Sequence, residues 1–142
     1  MAYLIDSDII IDLLANVPDV VTLVDRIRDD GVAISAISYM EAFQGIGRGL
    51  DPDADEVALG AIVARIPILP FSQAEARRCA SLRETLRDQG RRVNSRALDL
   101  LIAATAIEHE LILVTRNLRD YRDVPGLSLY GSAQGIGSLT PD

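Results

Sequence analysis

Short apolar runs alternate along this chain with longer stretches in which apolar residues recur every three or four positions, so the pattern predicts strands and helices in turn. Tyr3-Leu4-Ile5 is the first strand, and after Asp6-Ser7-Asp8 the pattern turns helical over residues 9–14 and 20–27, with Pro18 and Asp19 as a start signal. Gly31 ends the second helix, and Val32-Ala33-Ile34-Ser35 is a short buried strand, followed by a helix at Tyr39-Met40-Glu41-Ala42-Phe43 for which Ser38 is the expected N-cap. Asp51-Pro52-Asp53 opens a helix to residue 65, and residues 66–71 form a third strand in which Pro67 and Pro70 restrict hydrogen bonding. Ser72 caps a long helix that reaches Gly90, and a turn at Asn94-Ser95 leads into a helix over residues 97–110. Leu111-Ile112-Leu113-Val114 is the clearest strand, a short helix follows over residues 118–122, and residues 127–130 are the last strand. Residues 131–142, rich in glycine and serine, are expected to be a loose tail.

Strands that alternate with helices imply right-handed crossovers and a mostly parallel sheet covered on both faces, with residues 1–142 as a single α/β domain. In such folds ligands bind beyond the carboxyl ends of the strands, where the strand order reverses. That rule draws attention to Asp6 and Asp8 after the first strand, Glu41 after the second, Asp99 on the helix before the fourth, and Asn117 and Asp120 after the fourth.

Composition narrows the chemistry. With 142 residues, 49% hydrophobic, the chain is long enough for one core without disulfides, and its single cysteine, Cys79, reads as a core residue. No apolar stretch approaches the ~20 residues that span a bilayer, and no signal-like segment opens the chain, so a cytoplasmic location and no membrane partner are expected. All 14 basic residues are arginine, which excludes a P-loop lysine or a pyridoxal Schiff base. The one histidine, His109, has no second histidine to make a zinc site; it sits where an imidazolium complements a helix C-terminus. Net charge is -7, yet residues 77–96 carry seven arginines against Glu84 and Asp88, a local +5 that leaves -12 elsewhere.

Carboxylates gathered near apolar strands repel one another and resist burial, so such a group implies a cation or a shared proton. A hard divalent ion is the natural counter-charge: magnesium, with manganese as its substitute, takes oxygen ligands, retains waters and binds through one or two carboxylates plus substrate phosphate. Phosphodiester hydrolysis follows from that arrangement.

Four segments now carry a resemblance: Leu4-Ile5-Asp6-Ser7-Asp8-Ile9-Ile10-Ile11, residues 37–46 around Glu41, residues 97–106 around Asp99, and Leu113-Val114-Thr115-Arg116-Asn117-Leu118-Arg119-Asp120-Tyr121. Taken in order at these separations, they are similar to the PIN-domain nucleases, and among them to the VapC-type toxins of bacterial toxin-antitoxin pairs. The resemblance covers nearly the whole chain. It implies a three-layer α/β/α fold with a five-stranded parallel sheet in the order 3-2-1-4-5. It implies a metal-dependent endoribonuclease in which Asp6 and Asp99 are the main metal ligands, Glu41 completes the site, and Asn117 stands where an aspartate is common. Asp8 and Asp120 are supporting acids. An RNA substrate, a small antitoxin and a homodimer are the implied partners, with residues 57–66 as a possible dimer face.

Each residue also has a structural reading. Asp6 and Asn117 could be helix caps, Glu41 the far member of a capping box begun at Ser38, and Asp99 a charge placed to suit a helix dipole. Most of the arginine-rich stretch reads as a solvated helix face. Its functional reading has Arg91, Arg92 and Arg96 near the mouth of the site, with Arg116 beside it, on RNA phosphates or an acidic antitoxin segment. Tyr39, Phe43 and Tyr121 read as packing residues. Two other functions compete: Asp6-Ser7-Asp8 as the Asp-x-Asp of a haloacid-dehalogenase-like phosphatase, which wants a lysine this chain lacks, and a non-catalytic PIN-like binding module, for which Asn117 is the motive.

Overall fold

The structure, a computed structural model, describes residues 2–131. It contains five strands, β1 (Tyr3–Ile5), β2 (Val32–Ser35), β3 (Ile68–Leu69), β4 (Ile112–Val114) and β5 (Ser128–Leu129). Seven α-helices connect them: α1 (Ser7–Leu14), α2 (Pro18–Ile27), α3 (Ala36–Ile46), α4 (Pro52–Val63), α5 (Gln73–Asp88), α6 (Ala97–Glu108) and α7 (Leu118–Tyr121). All strand pairs are parallel and the sheet order is β3-β2-β1-β4-β5, as the resemblance implied. The expected loose tail lies, from residue 132 on, outside the described residues. Among the described residues no helix is long and apolar enough to cross a membrane.

Side-chain alternation along the short strands sorts the core into two layers. Ile5, Ile34 and Val114 share one row of the sheet and join Ile9 and Ile10 of α1, Val20, Leu23, Val24 and Ile27 of α2, and Leu59 of α4. Leu4, Ala33 and Leu113 form the adjacent row and face the other way, onto Cys79, Leu82 and Leu86 of α5 and Leu100, Ala103 and Ala104 of α6. Because both faces are covered, the central strands are apolar throughout rather than alternating with polar residues. Cys79 is a core residue, as expected.

The ends of the elements differ from the sequence-based expectation in several places. The helix after β2 starts at Ala36, because Ser35 rather than Ser38 is its N-cap: the Ser35 side chain accepts from the Ser38 backbone N–H at 2.9 Å. Ser38 is therefore buried inside the helix, its Oγ accepting from Ser35 Oγ at 3.0 Å, and the proposed Ser38–Glu41 capping box does not exist. Such a box forms instead at the start of α5, where Glu75 accepts from the backbone N–H and hydroxyl of Ser72 at 2.9 and 2.7 Å. These bonds hold the Glu75 carboxyl down at about 2, and its second oxygen meets His109 Nε2 at 2.7 Å, tying the start of α5 to the end of α6. The third strand shrinks to two residues because Pro67 and Pro70 bracket it. Gly31, at φ 101°, makes the turn into β2 that an L-residue would resist.

The arginine-rich stretch is largely neutralised from across the fold. Arg78 meets Glu108 at 3.1 Å and Arg87 pairs with Glu84, while Arg91, Arg92 and Arg96 all turn toward acids on or after α7. Arg96 is expected at the surface but lies inside, its side chain 1% exposed. It binds Asp123 through both guanidinium arms and donates to the Arg92 and Asp120 carbonyls at 2.8 and 2.9 Å. A guanidinium can satisfy four acceptors in one plane, which is why arginine and not lysine fills this position. With every arm engaged, Arg96 is a strut between the α5–α6 loop and α7 and not a contact for RNA or an antitoxin.

Removing one member of a buried ion pair leaves the other uncompensated, so Arg96→Ala is expected to lower stability by ~3 kcal/mol. Urea unfolding checks this; a loss below ~1 kcal/mol would show that water replaces the guanidinium at little cost.

Candidate active site

The strand order reverses beside β1: the chain moves to one side for β2 and β3, then crosses through α5 and α6 to β4 on the other. No crossover covers the crevice between the ends of β1 and β4, which is where the polar side chains gather. Asp6 follows β1 directly, and its backbone N–H extends the β1–β4 pairing by donating to the Val114 carbonyl at 3.0 Å. It is also the N-cap of α1, accepting from Ser7 N–H at 2.8 Å, so it serves as a cap as well as lying at the reversal. Its other oxygen accepts from the Thr115 hydroxyl at 2.8 Å, and the residue is only 4% exposed.

Asp8, in the first turn of α1, accepts through Oδ2 from the Arg116 backbone N–H at 2.9 Å and lies 3.4 Å from the Thr115 hydroxyl. Its Oδ1 is buried and has no hydrogen-bond partner among the described residues. Glu41 arrives from the middle of α3 and Asp99 from the first turn of α6; Asp99 accepts from the Tyr121 hydroxyl at 3.2 Å. Asn117 occupies the N-cap position of α7, but its side chain makes no capping bond. Its Nδ2 donates to Asp120 Oδ2 at 2.8 Å while its backbone N–H donates to Thr115 Oγ1 at 3.0 Å. Asp120 Oδ1 accepts from Arg92 at 2.7 Å. Arg116 forms an ion pair with Asp12 of α1.

The electrostatics separate two groups of acids. Burial pushes Asp6 up despite the hydrogen bonds from Thr115 and Ser7. Burial, and then the neighbouring Asp6 charge, push Asp8 up to about 7. Glu41 and Asp99 are raised in the same way, by burial first and by Asp6 after it, with the Ser7 and Tyr121 hydroxyls pulling the other way. Asp6 thus opposes the ionisation of each of the other three. Asp120 belongs to the second group: Arg92 and Asn117 hold it below the usual carboxylate range, as Arg96 does Asp123. The structure therefore brings Asp6, Asp8, Glu41 and Asp99 into one mutually repelling group, and links Asn117 to it through Thr115. Asp120 faces Asp99 but spends both oxygens on Arg92 and Asn117.

Sequence reasoning did not single out Thr115, Ser7 or Tyr121 as partners of these acids. A threonine ending the apolar β4 run was the available signal for Thr115; nothing local marks Tyr121, whose ring is as buried as any core side chain.

The residues fit a divalent cation in chemistry: the donors are all hard oxygens, their charges oppose one another, and Asp8 Oδ1 lacks a donor. Among the described residues no three His, Cys, Asp or Glu side chains are arranged to enclose an ion on their own.

Comparison with known proteins identifies relatives over most of the chain. A family model described as PIN domain matches residues 3–127. A tRNA(fMet)-specific endonuclease VapC of Shigella flexneri is 29% identical over 127 residues, 89% of this chain and 95% of that protein. Ribonuclease VapC2 of Rickettsia felis is 28% identical over 131 residues, 91% of this chain and 96% of that protein. The crystal structure of VapBC2 from Rickettsia felis bound to a DNA fragment from its promoter superposes with a TM-score of 0.82 at 26% identity, covering 91% of this chain and 97% of the other. With sheet order and sequence match in accord over most of its length, the chain belongs to the PIN-domain family, and the relatives it matches are VapC proteins.

Proposed function

We propose that this chain, as a single domain over residues 1–142, is a magnesium-dependent endoribonuclease that acts as the toxin of a type II toxin-antitoxin pair. The observation that carries the reading is the group formed by Asp6, Asp8, Glu41 and Asp99: four carboxyls at the reversal of the sheet, all raised, three of them partly by Asp6. Such a group is costly in a protein that leaves it uncompensated, and a divalent ion removes the cost. The names of the Shigella and Rickettsia relatives support RNA as the substrate, and likeness to a toxin-antitoxin complex from Klebsiella pneumoniae (29% identity, TM-score 0.63, 88% of this chain and 94% of the other) supports a small antitoxin as a partner. A homodimer and a cytoplasmic location belong to the same proposal.

In this reading Asp6, Asp99 and Glu41 hold the ion, with Asn117 supplying a neutral oxygen at the fourth position and Asp8 adding charge behind Asp6. When bound, magnesium or manganese offsets phosphate charge and lowers the pKa of water. The chain's own residues supply position. Thr115 and the Ser7 N–H each fix one Asp6 oxygen, so that carboxylate cannot rotate away. Asp120, anchored by Arg92, fixes the Asn117 amide. Arg92 and Arg116, both partly exposed, are the arginines placed to meet a phosphate or an acidic antitoxin segment.

The phosphatase alternative finds no support, since that chemistry wants a lysine to steady the phosphate, the chain has none, and the family model it matches is the PIN domain. The binding-module alternative rested on Asn117, and the four-carboxyl group assembles without an acid at that position.

The reading is tested by incubating the purified chain with total cellular RNA in magnesium or manganese and sequencing the ends. Discrete ends are expected that disappear with chelator, and Asp6→Asn and Asp99→Asn should each reduce cleavage on the order of a hundredfold or more while leaving the folded spectrum intact. Cleavage retained in both variants would overturn it.

Acidity provides a second check on the group. Asp8 moves from 3.8 to about 7 on folding, so between those values the folded chain binds more protons than the unfolded one. Its contribution is most favourable below pH ~4 and is lost as the pH rises toward 7; Asp6, Glu41 and Asp99 act in the same direction. The lowered Glu75, Asp120 and Asp123 act in the opposite sense, chiefly below the same window. In chelator, therefore, the thermal midpoint should fall from pH 4.5 to 7, and Asp8→Asn should flatten the decline; an unchanged slope in that variant would count against the assignment.

A further inference from the structure

Tyr121 ends α7 and is completely buried, its ring set in the apolar layer with Leu4, Leu100, Leu113 and Val124. Packing of that ring needs no hydroxyl. A buried phenol without a partner is costly, however, and here the partner is a carboxylate of the candidate site: the hydroxyl donates to Asp99 Oδ1 at 3.2 Å and lies against Asp6 as well. It is thus a polar atom rising from the core beneath the two acids assigned as main ligands, one from the end of β1 and one from α6. The charge of Arg96 also acts on Asp99, but its donors are held by Asp123 and two carbonyls.

We propose that Tyr121 is a positioning residue for the metal-binding carboxylates, its single hydroxyl proton holding Asp99 in place beside Asp6 before any ion binds. The proposal rests on the nuclease reading above. A phenol has one donor hydrogen, so it can occupy Asp99 Oδ1 and leave Oδ2 free of that bond. Rotation of the Asp99 side chain is restricted in the empty site, and less ordering remains to be done on binding. Burial and the two neighbouring acids push the phenol far above its ordinary ionisation range, so it remains a donor at every working pH. Hydrogen-bonding partners of ligating carboxylates commonly contribute a factor of about 10–100 to metal affinity.

Tyr121→Phe keeps the ring and deletes only the hydroxyl. Manganese binding to the antitoxin-free full chain, followed by calorimetry, is expected to weaken by about tenfold or more in this variant. The manganese concentration for half-maximal RNA cleavage should shift by the same factor, with KM for RNA unchanged. A wild-type Kd in Tyr121→Phe, alongside lost binding in Asp99→Asn, would overturn the role of Tyr121 and leave the nuclease site standing. Absence of manganese binding by the wild-type chain would overturn the site and this proposal together. A second measurement requires no metal: thermal midpoints in chelator for Tyr121→Phe, Asp99→Ala and the double variant. The two effects should be non-additive if the hydroxyl acts through Asp99, and strict additivity would overturn the proposal.

Discussion

One buried carboxylate sets the terms for the polar end of this molecule. Asp6 follows directly from β1, where the backbone is still paired with β4, and it cannot move outward without breaking that pairing or uncapping α1. Its charge is thus fixed near Asp8, Glu41 and Asp99, which arrive on α1, α3 and α6 and are all harder to ionise because of it. The surrounding donors, Ser7 N–H, Thr115 and Tyr121, are the arrangement by which the fold tolerates this crowding in the absence of an ion. Stability and function pull against each other here: the placement that strains the empty chain is the placement that would attract a divalent cation.

A second layer of charge keeps that end in shape. The α5–α6 loop has little apolar content of its own, and it is held by Arg91, Arg92 and Arg96 reaching across to Asp120 and Asp123. Asp120 connects this layer to the site, with Arg92 on one oxygen and Asn117 on the other. A loop that reads in isolation as a solvated cationic surface is, once folded, mostly neutralised by acids from the segment after β4.

The sequence made legible whatever depends on local order. Alternating periodicities gave the strands and helices, and the resemblance of four segments gave the sheet order and the acids Asp6, Glu41 and Asp99. What it could not show were contacts between side chains far apart in the chain. Thr115 meets Asp6 across 109 positions and Arg96 meets Asp123 across 27, and only the crossovers bring them together. Ser38 illustrates a different failure: its spacing to Glu41 suits a capping box, but Ser35 ends a buried strand and takes the cap first. Tyr121 was assigned to packing, which its ring does; its hydroxyl has a separate task that no pattern of apolar positions encodes.

The two outer strands, only two residues each, shape how this molecule meets others of its kind. β3 is bracketed by Pro67 and Pro70, which have no N–H to offer, and β5 follows Pro125 and a glycine at φ 81°. Among the described residues neither margin of the sheet presents a run of unpaired backbone groups long enough to template another strand. These described edges therefore give the folded molecule few backbone groups with which to grow into a cross-chain ribbon. The surfaces left to meet another copy are those of the helices, whose side chains can make recognition specific and reversible.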